Sequence, residues 1–369
     1  MLAVIISLSL TLLQSQVTQP VIPEQKTASA HDRAQLSSEE ITRLETQAEG
    51  GDATAQLELA RAYEEGNGVT VDQVSAAEWY RKAADQGNSN AQNQLGIMYQ
   101  SGRGVERDES AAVAWYRKSA RQGNSAAMFN LGAAYYNGTG VGTDDALSYA
   151  WFTLAKQAGN PSAANAVQIA ESEMKPWSIA EGFEKLGMLY DTGEYLPPDP
   201  VQAVHWLTEA ARRGDADAQA EVAAKLLGTN PMTQDFAQGR YWCNELAKRG
   251  GVRGVRCMGA IYQRGIGVKA DLKEARKWYE RGATSYDALS VKALAQMEVN
   301  GEGGKVDREA ACLEYVSLVH YGDAEAIQSL AALRKEMGPK QWKKVQEQFL
   351  QRRIDPKKVD TILDEVESP

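Results

Sequence analysis

The chain has 369 residues, with 40 Lys and Arg against 49 Asp and Glu, so its net charge is −9 at neutral pH. A chain this acidic lacks the basic face that nucleic-acid-binding proteins usually need, and we therefore expect no nucleic-acid partner. Three Cys and three His leave little material for a metal site. We expect neither a metal nor another cofactor, and no small-molecule substrate.

The chain begins with a short apolar run at residues 2–13, which has the length of a signal-peptide core rather than of a membrane-spanning helix. Ala28-Ser29-Ala30 has the small-x-small form of a cleavage site. We interpret residues 1–30 as a signal peptide or disordered leader and expect a periplasmic or secreted protein. Because no basic residue precedes the run, the alternative is a protein anchored to the inner membrane by residues 2–13.

Residues 31–51 are predicted to form a capping helix at the start of the folded part. Ser37 is followed three residues later by Glu40, and this spacing is typical of a capping box, in which each side chain bonds the backbone of the other. The helix is expected to cover the open end of the array that follows.

A repeat of 36 residues occupies most of the remaining chain. Gly-x-Gly-Val begins at residues 66, 102 and 138, at equal intervals, and again at residue 265. A structural unit recurs at a fixed period, whereas a phosphate-binding loop has no reason to do so. This period predicts repeats 1–3 at 52–159, an inserted helix at 160–178 and repeats 4–7 at 179–322, and leaves open a flexible joint at the insert.

Aligned at this period, tryptophans share one position and aspartates another. The tryptophans are Trp79, Trp115, Trp151, Trp206, Trp242 and Trp278, with Glu314 in the seventh repeat. The aspartates are Asp72, Asp108, Asp144, Asp199, Asp235, Asp271 and Asp307.

Each repeat is expected to hold two helices, which we name A and B, with the glycines ending helix A and the aspartate beginning helix B. Aspartates could ligate metals, but Pro200 directly after Asp199 indicates a helix start. We therefore interpret the aspartates as helix N-caps.

The C-terminal residues 323–369 are predicted to form capping helices and a tail. Pro339 opens a helix with Trp342, Val345 and Phe349 on one stripe. Residues 340–358 hold seven Lys or Arg against two acidic residues. Such a run is usually a solvated face, and weak contact with a membrane surface is left open as the alternative.

These patterns resemble the Sel-one-like repeat (SLR) family, a bacterial relative of the tetratricopeptide repeat. The resemblance is carried by AQNQLGIMYQSGRGVERDESAAVAWYRKSARQG at 91–123 and extends over residues 52–322. It implies an all-α, right-handed α-solenoid of about seven 36-residue helix-turn-helix repeats with capping helices. The fourth repeat departs from the family pattern at DTGEYLPPDP, and the fifth lacks the glycine loop.

For function, the resemblance implies a non-catalytic adaptor that binds a protein or peptide, and we expect a scaffold of the bacterial cell envelope. The alternatives are a secreted factor that binds a host protein and a hydrolase built on the repeats. A hydrolase would need a convergent cluster of Ser, His and Asp or Glu, and the sequence offers no catalytic candidate. The identity of the partner and the oligomeric state are not specified by the sequence.

In hairpins of this kind, the A helices are expected to line the concave side of the array. The helical period then selects positions that vary between repeats and face this groove, where apolar and aromatic side chains are typical anchors. The predicted partner-binding residues are Asn93, Ile97, Gln100, Phe129, Tyr136, Glu184, Met188 and Arg256. Their alternative role is packing between neighbouring A helices.

Cys243 lies at the aromatic position that follows the tryptophans, and Cys257 lies at a variable position of the next repeat. In an oxidising compartment the two could pair, but sequence alone does not establish the required geometry.

Overall fold

A computed structural model describes residues 35–367, which form two compact units divided between Asp215 and Ala216. The described residues fold into helices and contain no strand, which confirms the all-α prediction. Residues 1–34 lie outside the described part, so the leader, the cleavage site and the anchor remain predictions. Within the described residues, no helix is long and apolar enough to cross a membrane.

The described residues of the first unit form ten helices, in which the A and B helices of repeats 1–4 follow an N-terminal cap. They are α1 (Ser38–Glu49), α2 (Ala53–Glu65), α3 (Gln73–Asp85), α4 (Ser89–Ser101), α5 (Glu109–Ala120), α6 (Ser125–Asn137), α7 (Asp145–Gln157), α8 (Pro161–Glu173), α9 (Pro176–Thr192) and α10 (Pro200–Arg212).

In the part of the second unit that the structure describes there are eight helices, which comprise repeats 5–7 and the C-terminal caps. They are α11 (Ala216–Leu227), α12 (Phe236–Lys248), α13 (Val252–Arg264), α14 (Leu272–Thr284), α15 (Ala288–Asn300), α16 (Arg308–Val319), α17 (Ala324–Gln351) and α18 (Pro356–Glu367).

The repeating aspartates cap the B helices, as predicted. Asp108 Oδ1 accepts a hydrogen bond from the backbone N–H of Ala111 at 2.9 Å. The six other aspartates of this position accept from the first turns of their own helices in the same way. These carboxylates satisfy backbone N–H groups that the helix leaves without partners.

The Gly-x-Gly loops are explained by backbone conformation and close packing. Gly102 ends α4 in the left-handed conformation, with φ 70°. Gly104 lies against the start of α3, where an added Cβ would stand 1.9 Å from the Gln73 carbonyl oxygen. At Gly140 and Gly303 an added Cβ would stand 2.2 Å from the first carbonyl oxygen of α5 and of α14, respectively. These glycines therefore let the second, third and seventh repeats each pack directly on the repeat before it.

Within a hairpin, a glycine of helix A admits a large ring from helix B. An added Cβ at Gly96 would stand 2.6 Å from the ring of Tyr116, which is 1% exposed. Glycine costs a helix about 1 kcal/mol relative to alanine. Burying a large side chain contributes about 1.5–3 kcal/mol. The free energy gained by burying the ring therefore exceeds the cost of glycine in the helix, which favours the packed hairpin.

The insert after the third repeat changes how the chain continues. Both α8 and α9 pack against α7, and α9 then pairs with α10. Asn160, the N-cap of α8, donates to the Ser125 carbonyl oxygen at the start of α6. Helix α8 therefore begins beside α6, in the place that the next A helix would take.

The unusual loop of the fourth repeat, which follows α9, reaches back to the second repeat. Arg121 Nη1 donates to the Gly193 carbonyl oxygen at 2.9 Å. The Arg117 guanidinium lies over the Tyr195 ring, 4.5 Å from its centroid. The departure DTGEYLPPDP from the repeat pattern thus coincides with a contact between repeats two and four.

Both ends of the array are covered. At the N-terminus, Ser37 and Glu40 form the predicted capping box of α1. At the C-terminus, α17 bends at Gly338 before Pro339, and its second half presents the predicted apolar stripe. Trp342, Val345 and Phe349 belong to one buried cluster with residues of the seventh repeat, including Tyr315.

Candidate functional site

The predicted partner-binding residues of the second repeat lie on α4. Two of them already accept hydrogen bonds from other side chains of the fold. Asn93 is 7% exposed and accepts a hydrogen bond from Asn130 at 2.9 Å. Gln100 Oε1 accepts from the Tyr116 hydroxyl at 2.7 Å. Ile97 and Gln100 are both partly exposed, and Ile97 is the apolar one of the two.

The two aromatic candidates on α6 also contact the fold. The Phe129 ring lies 5.2 Å from the Phe152 ring, centroid to centroid. Tyr136 is partly buried, which raises its pKa, and the nearby carboxylates of Glu173 and Asp145 raise it further. Both side chains therefore contact the fold while remaining partly exposed, and Phe129 does so against the B helix α7 rather than between neighbouring A helices.

The remaining candidates lie apart from α4 and α6. Glu184 and Met188 lie on α9, which packs against α7 rather than taking the place beside α6. Met188 is 52% exposed, and Glu184 is partly buried. In the second unit, Arg256 on α13 forms an ion pair with Asp287 at 3.5 Å.

Helices α4 and α6 leave an accessible stripe, which we name the A face. Within each helix its members follow the spacing of one helical side, with neighbours three, four or seven residues apart. All are exposed or partly exposed. The A face comprises Asn90, Gln94, Ile97 and Ser101 of α4 with Ala126, Asn130 and Asn137 of α6.

The A face is rotated slightly from the predicted positions, so that Gln94 and Ser101 replace Asn93 and Gln100. The repeat length alone does not give this rotation. It follows from the side on which α5 and α6 pack, and Asn93 is turned inward by its hydrogen bond to Asn130. Amide and hydroxyl side chains around Ile97 suit hydrogen bonding to a peptide backbone and apolar contact at one point.

The seventh repeat contains two buried or partly buried carboxyls, Glu314 and Glu298, at positions where other repeats carry aromatic side chains. Glu314 stands at the tryptophan position, and Glu298 stands where other repeats have tyrosines such as Tyr262. Glu298 is 5% exposed, and one of its oxygens pairs with Arg276 at 2.8 Å. Its other oxygen has no partner among the described residues. Alignment of position 298 with the tyrosines of the other repeats indicates that a carboxyl replaces an aromatic ring here.

Burial raises the pKa of Glu298 to about 7, although Arg276 opposes the shift, and Glu314, Asp307 and Glu280 add to it. Burial also raises the pKa of Glu314, against the opposing charge of Arg352. Among the described residues, no group of three His, Cys, Asp or Glu side chains is placed to hold a metal ion. Because burial raises the pKa values of Glu298 and Glu314, we interpret these carboxyls as groups that alter local stability with pH.

The two cysteines whose pairing the sequence left open form a disulfide. Cys243 of α12 and Cys257 of α13 have Cα atoms 5.8 Å apart and join the fifth repeat to the sixth. Cys312 is buried and free. The disulfide replaces an aromatic contact with a covalent one at the position where other repeats carry a ring.

The recurring units match a family model directly. The Sel1 repeat model matches residues 53–88, 89–124, 125–160, 184–215, 216–251 and 258–287, together more than half of the chain. The chain belongs to the Sel1 repeat family. Sel1 repeat proteins are generally non-catalytic scaffolds for protein interaction. The seventh unit is not matched, although α15 and α16 form its hairpin.

Two solved structures with Sel1 or SLR repeats are similar to this chain. One is c5321 from Escherichia coli, described as a protective antigen of uropathogenic strains with an SLR fold. It is 28% identical, covers 90% of this chain and 74% of its own, and has a TM-score of 0.40. A Sel1 repeat protein from Oxalobacter formigenes is 28% identical, covers 80% of each chain and has a TM-score of 0.38. No curated protein shows significant sequence similarity.

Proposed function

We propose that this Sel1 repeat chain is a non-catalytic scaffold of the bacterial cell envelope that binds a protein or peptide through its A helices. The observation that carries the proposal is the contrast between the two sides of these helices. On the buried side, Ala91, Leu95 and Gly96 of α4 recur as Ala127, Leu131 and Gly132 of α6, whereas every compared position of the A face differs between the two helices. A surface that packing constrains less and that changes from repeat to repeat suits recognition of one particular partner.

The centre of the proposed site is Ile97, which is apolar, partly exposed and surrounded by Asn90, Gln94 and Ser101. A partner segment would place an apolar side chain on Ile97 and bond its backbone to the neighbouring amides. Phe129 and Tyr136 would support this surface from beneath, since their rings pack against α7 and near α8 respectively.

The envelope location is supported by two features. The apolar run at residues 2–13 has the form of a signal peptide. The Cys243–Cys257 disulfide is typical of oxidising compartments and rare in a reducing cytosol. Cell fractionation with N-terminal sequencing tests this part: a periplasmic chain that begins at His31 is expected. A cytosolic chain that retains residues 2–13 and carries two free thiols would contradict it.

The binding site is tested by a matched pair of substitutions. Ile97→Arg places a bulky charge on the A face, and Ala114→Arg places the same charge on the exposed side of the B helix α5. Both chains are checked for equal folding by circular dichroism and then used to capture partners from envelope extracts. We expect Ile97→Arg to lose a partner that wild type and Ala114→Arg retain. Loss only in Ala114→Arg would move the site to the B helices.

A further inference from the structure

The C-terminal cap carries a cluster of cations that the fold does not use. We name this surface the basic cap. All six of its side chains are exposed, and none forms an ion pair with a described residue. Five of the six are lysines. The basic cap comprises Lys340, Lys343, Lys344, Arg353, Lys357 and Lys358.

Other charged residues of this region form ion pairs or hydrogen bonds between helices and so have a structural role. Arg334 pairs with Asp360 and Asp364. Arg352 donates to the Leu313 carbonyl oxygen. Asp360 also accepts from the indole N–H of Trp342 at 3.0 Å. The bonds of Arg334 and Trp342 hold α17 and α18 together, and the bond of Arg352 joins α17 to α16. The six exposed cations of the basic cap instead form no ion pair with a described residue and repel one another.

The arrangement of α17 separates the two kinds of residue. Trp342, Val345 and Phe349 are buried, so the opposite side of the helix faces solvent. Lys340, Lys343 and Lys344 lie on this outward side together with Leu350, which is 61% exposed. The acidic residues of the segment, Glu347 and Asp355, are also exposed, so the cations outnumber them there.

We propose that the basic cap binds the surface of an anionic phospholipid bilayer. Clusters of four to eight Lys and Arg on an amphipathic helix attract anionic lipid surfaces, and an exposed Leu adds apolar contact at the headgroup boundary. A surface that binds a protein would instead be expected to present aromatic side chains and arginines as anchors. The basic cap offers flexible lysines, one Arg353 and no exposed ring.

The attraction to an anionic surface is confined to the basic cap, because the whole chain has a net charge of −9. The contact would therefore be reversible and sensitive to salt, because exposed charges are screened beyond about 10 Å at 0.1 M salt. Its effect would be to hold the partner-binding array at a membrane surface without inserting a helix. This inference does not depend on the A face, and the two can fail separately.

The test is co-sedimentation of the purified chain with vesicles of phosphatidylcholine alone or mixed with phosphatidylglycerol. Wild type is expected to bind only the mixed vesicles and to be released by high salt. The Lys340→Gln, Lys343→Gln, Lys344→Gln triple variant is expected to bind on the order of a hundredfold more weakly, since each lysine contributes roughly a factor of five.

The matched control removes the same charge elsewhere, with Lys156→Gln, Lys248→Gln and Lys277→Gln at exposed positions outside the cap. The control is expected to bind like wild type. Equal weakening of both variants would overturn the proposal, and so would equal binding to neutral vesicles. Binding to polyglutamate without binding to the mixed vesicles would assign the cap to an acidic protein partner instead.

Discussion

Asp108 stabilises the first turn of α5 through one acceptor oxygen and lies at a position that all seven repeats share. Replacing a cap of this kind with alanine usually costs about 0.5–2 kcal/mol. We expect Asp108→Ala to lower the free energy of unfolding by that amount in urea titration and to leave partner binding intact. Asp108→Asn retains an acceptor and is the control. Unchanged stability with lost binding would reverse the structural interpretation.

Glu298 gives the second unit a dependence on pH. Its pKa rises on folding from the ordinary value of 4.5 to about 7 because it is buried. Between these values the folded chain holds a proton that the unfolded chain has lost, so stability falls as pH rises. Above the folded pKa the contribution of this group no longer changes.

We therefore expect the urea midpoint of wild type to fall as pH rises from about 4.5 to about 7 and then to level off. Glu298→Gln removes the titrating proton while keeping the size of the side chain, and its midpoint should fall less over this interval. The remaining slope is expected to come partly from Glu314, whose pKa is raised as well. Parallel curves for the two proteins would contradict the assignment.

Among the helices, α12 and α13 are joined by a covalent bond as well as by packing. The Cys243–Cys257 disulfide closes a loop with a sequence separation of 14 residues. A loop of this length contributes about 3 kcal/mol by restricting the unfolded chain. We expect the Cys243→Ala, Cys257→Ala variant to unfold at a lower urea concentration than wild type. Added reductant should leave the unfolding midpoint of the variant unchanged. Wild-type stability that is equally insensitive to reductant would show that the bond does not stabilise the fold.

The terminal helices α17 and α18 cover an apolar surface of the seventh repeat. Tyr315 and Val316 of α16 belong to the same buried cluster as Leu330 and Phe349 of α17. A chain that ends at Gly322 would expose this surface, so we expect lower solubility and a lower unfolding midpoint than for the full chain. Equal solubility, measured by sedimentation after concentration, would mean that the helices do not act as a cap.

For the whole molecule, the repeat length predicted the fold because the same contacts recur in each unit. The helix starts at the aspartates, the glycine-loop ends and the capping box at Ser37 all depend on residues within one or two turns. A fixed period of 36 residues then repeats these local signals along the chain. The Sel1 repeat matches confirm this interpretation for six units.

The accessible residues were harder to predict because accessibility depends on neighbouring helices. Periodicity places Asn93 and Phe129 toward the groove, but hydrogen bonding to Asn130 and ring contact with Phe152 draw them inward. Met188 lies on a helix that packs against α7, since α8 takes the place beside α6. The period gives each residue a position within its repeat, whereas these contacts depend on the particular side chains that meet it from other helices.

The central claim is that this array is a scaffold that contacts a partner protein through its A face. Its most direct test is photo-crosslinking in intact cells. A photo-reactive amino acid replaces Ile97 in one variant and, as the control on a B helix, Ala114 in another. We predict one dominant protein adduct from position 97 and none from position 114. Adducts from position 114 alone, with none from position 97 in an equally abundant folded chain, would contradict the account.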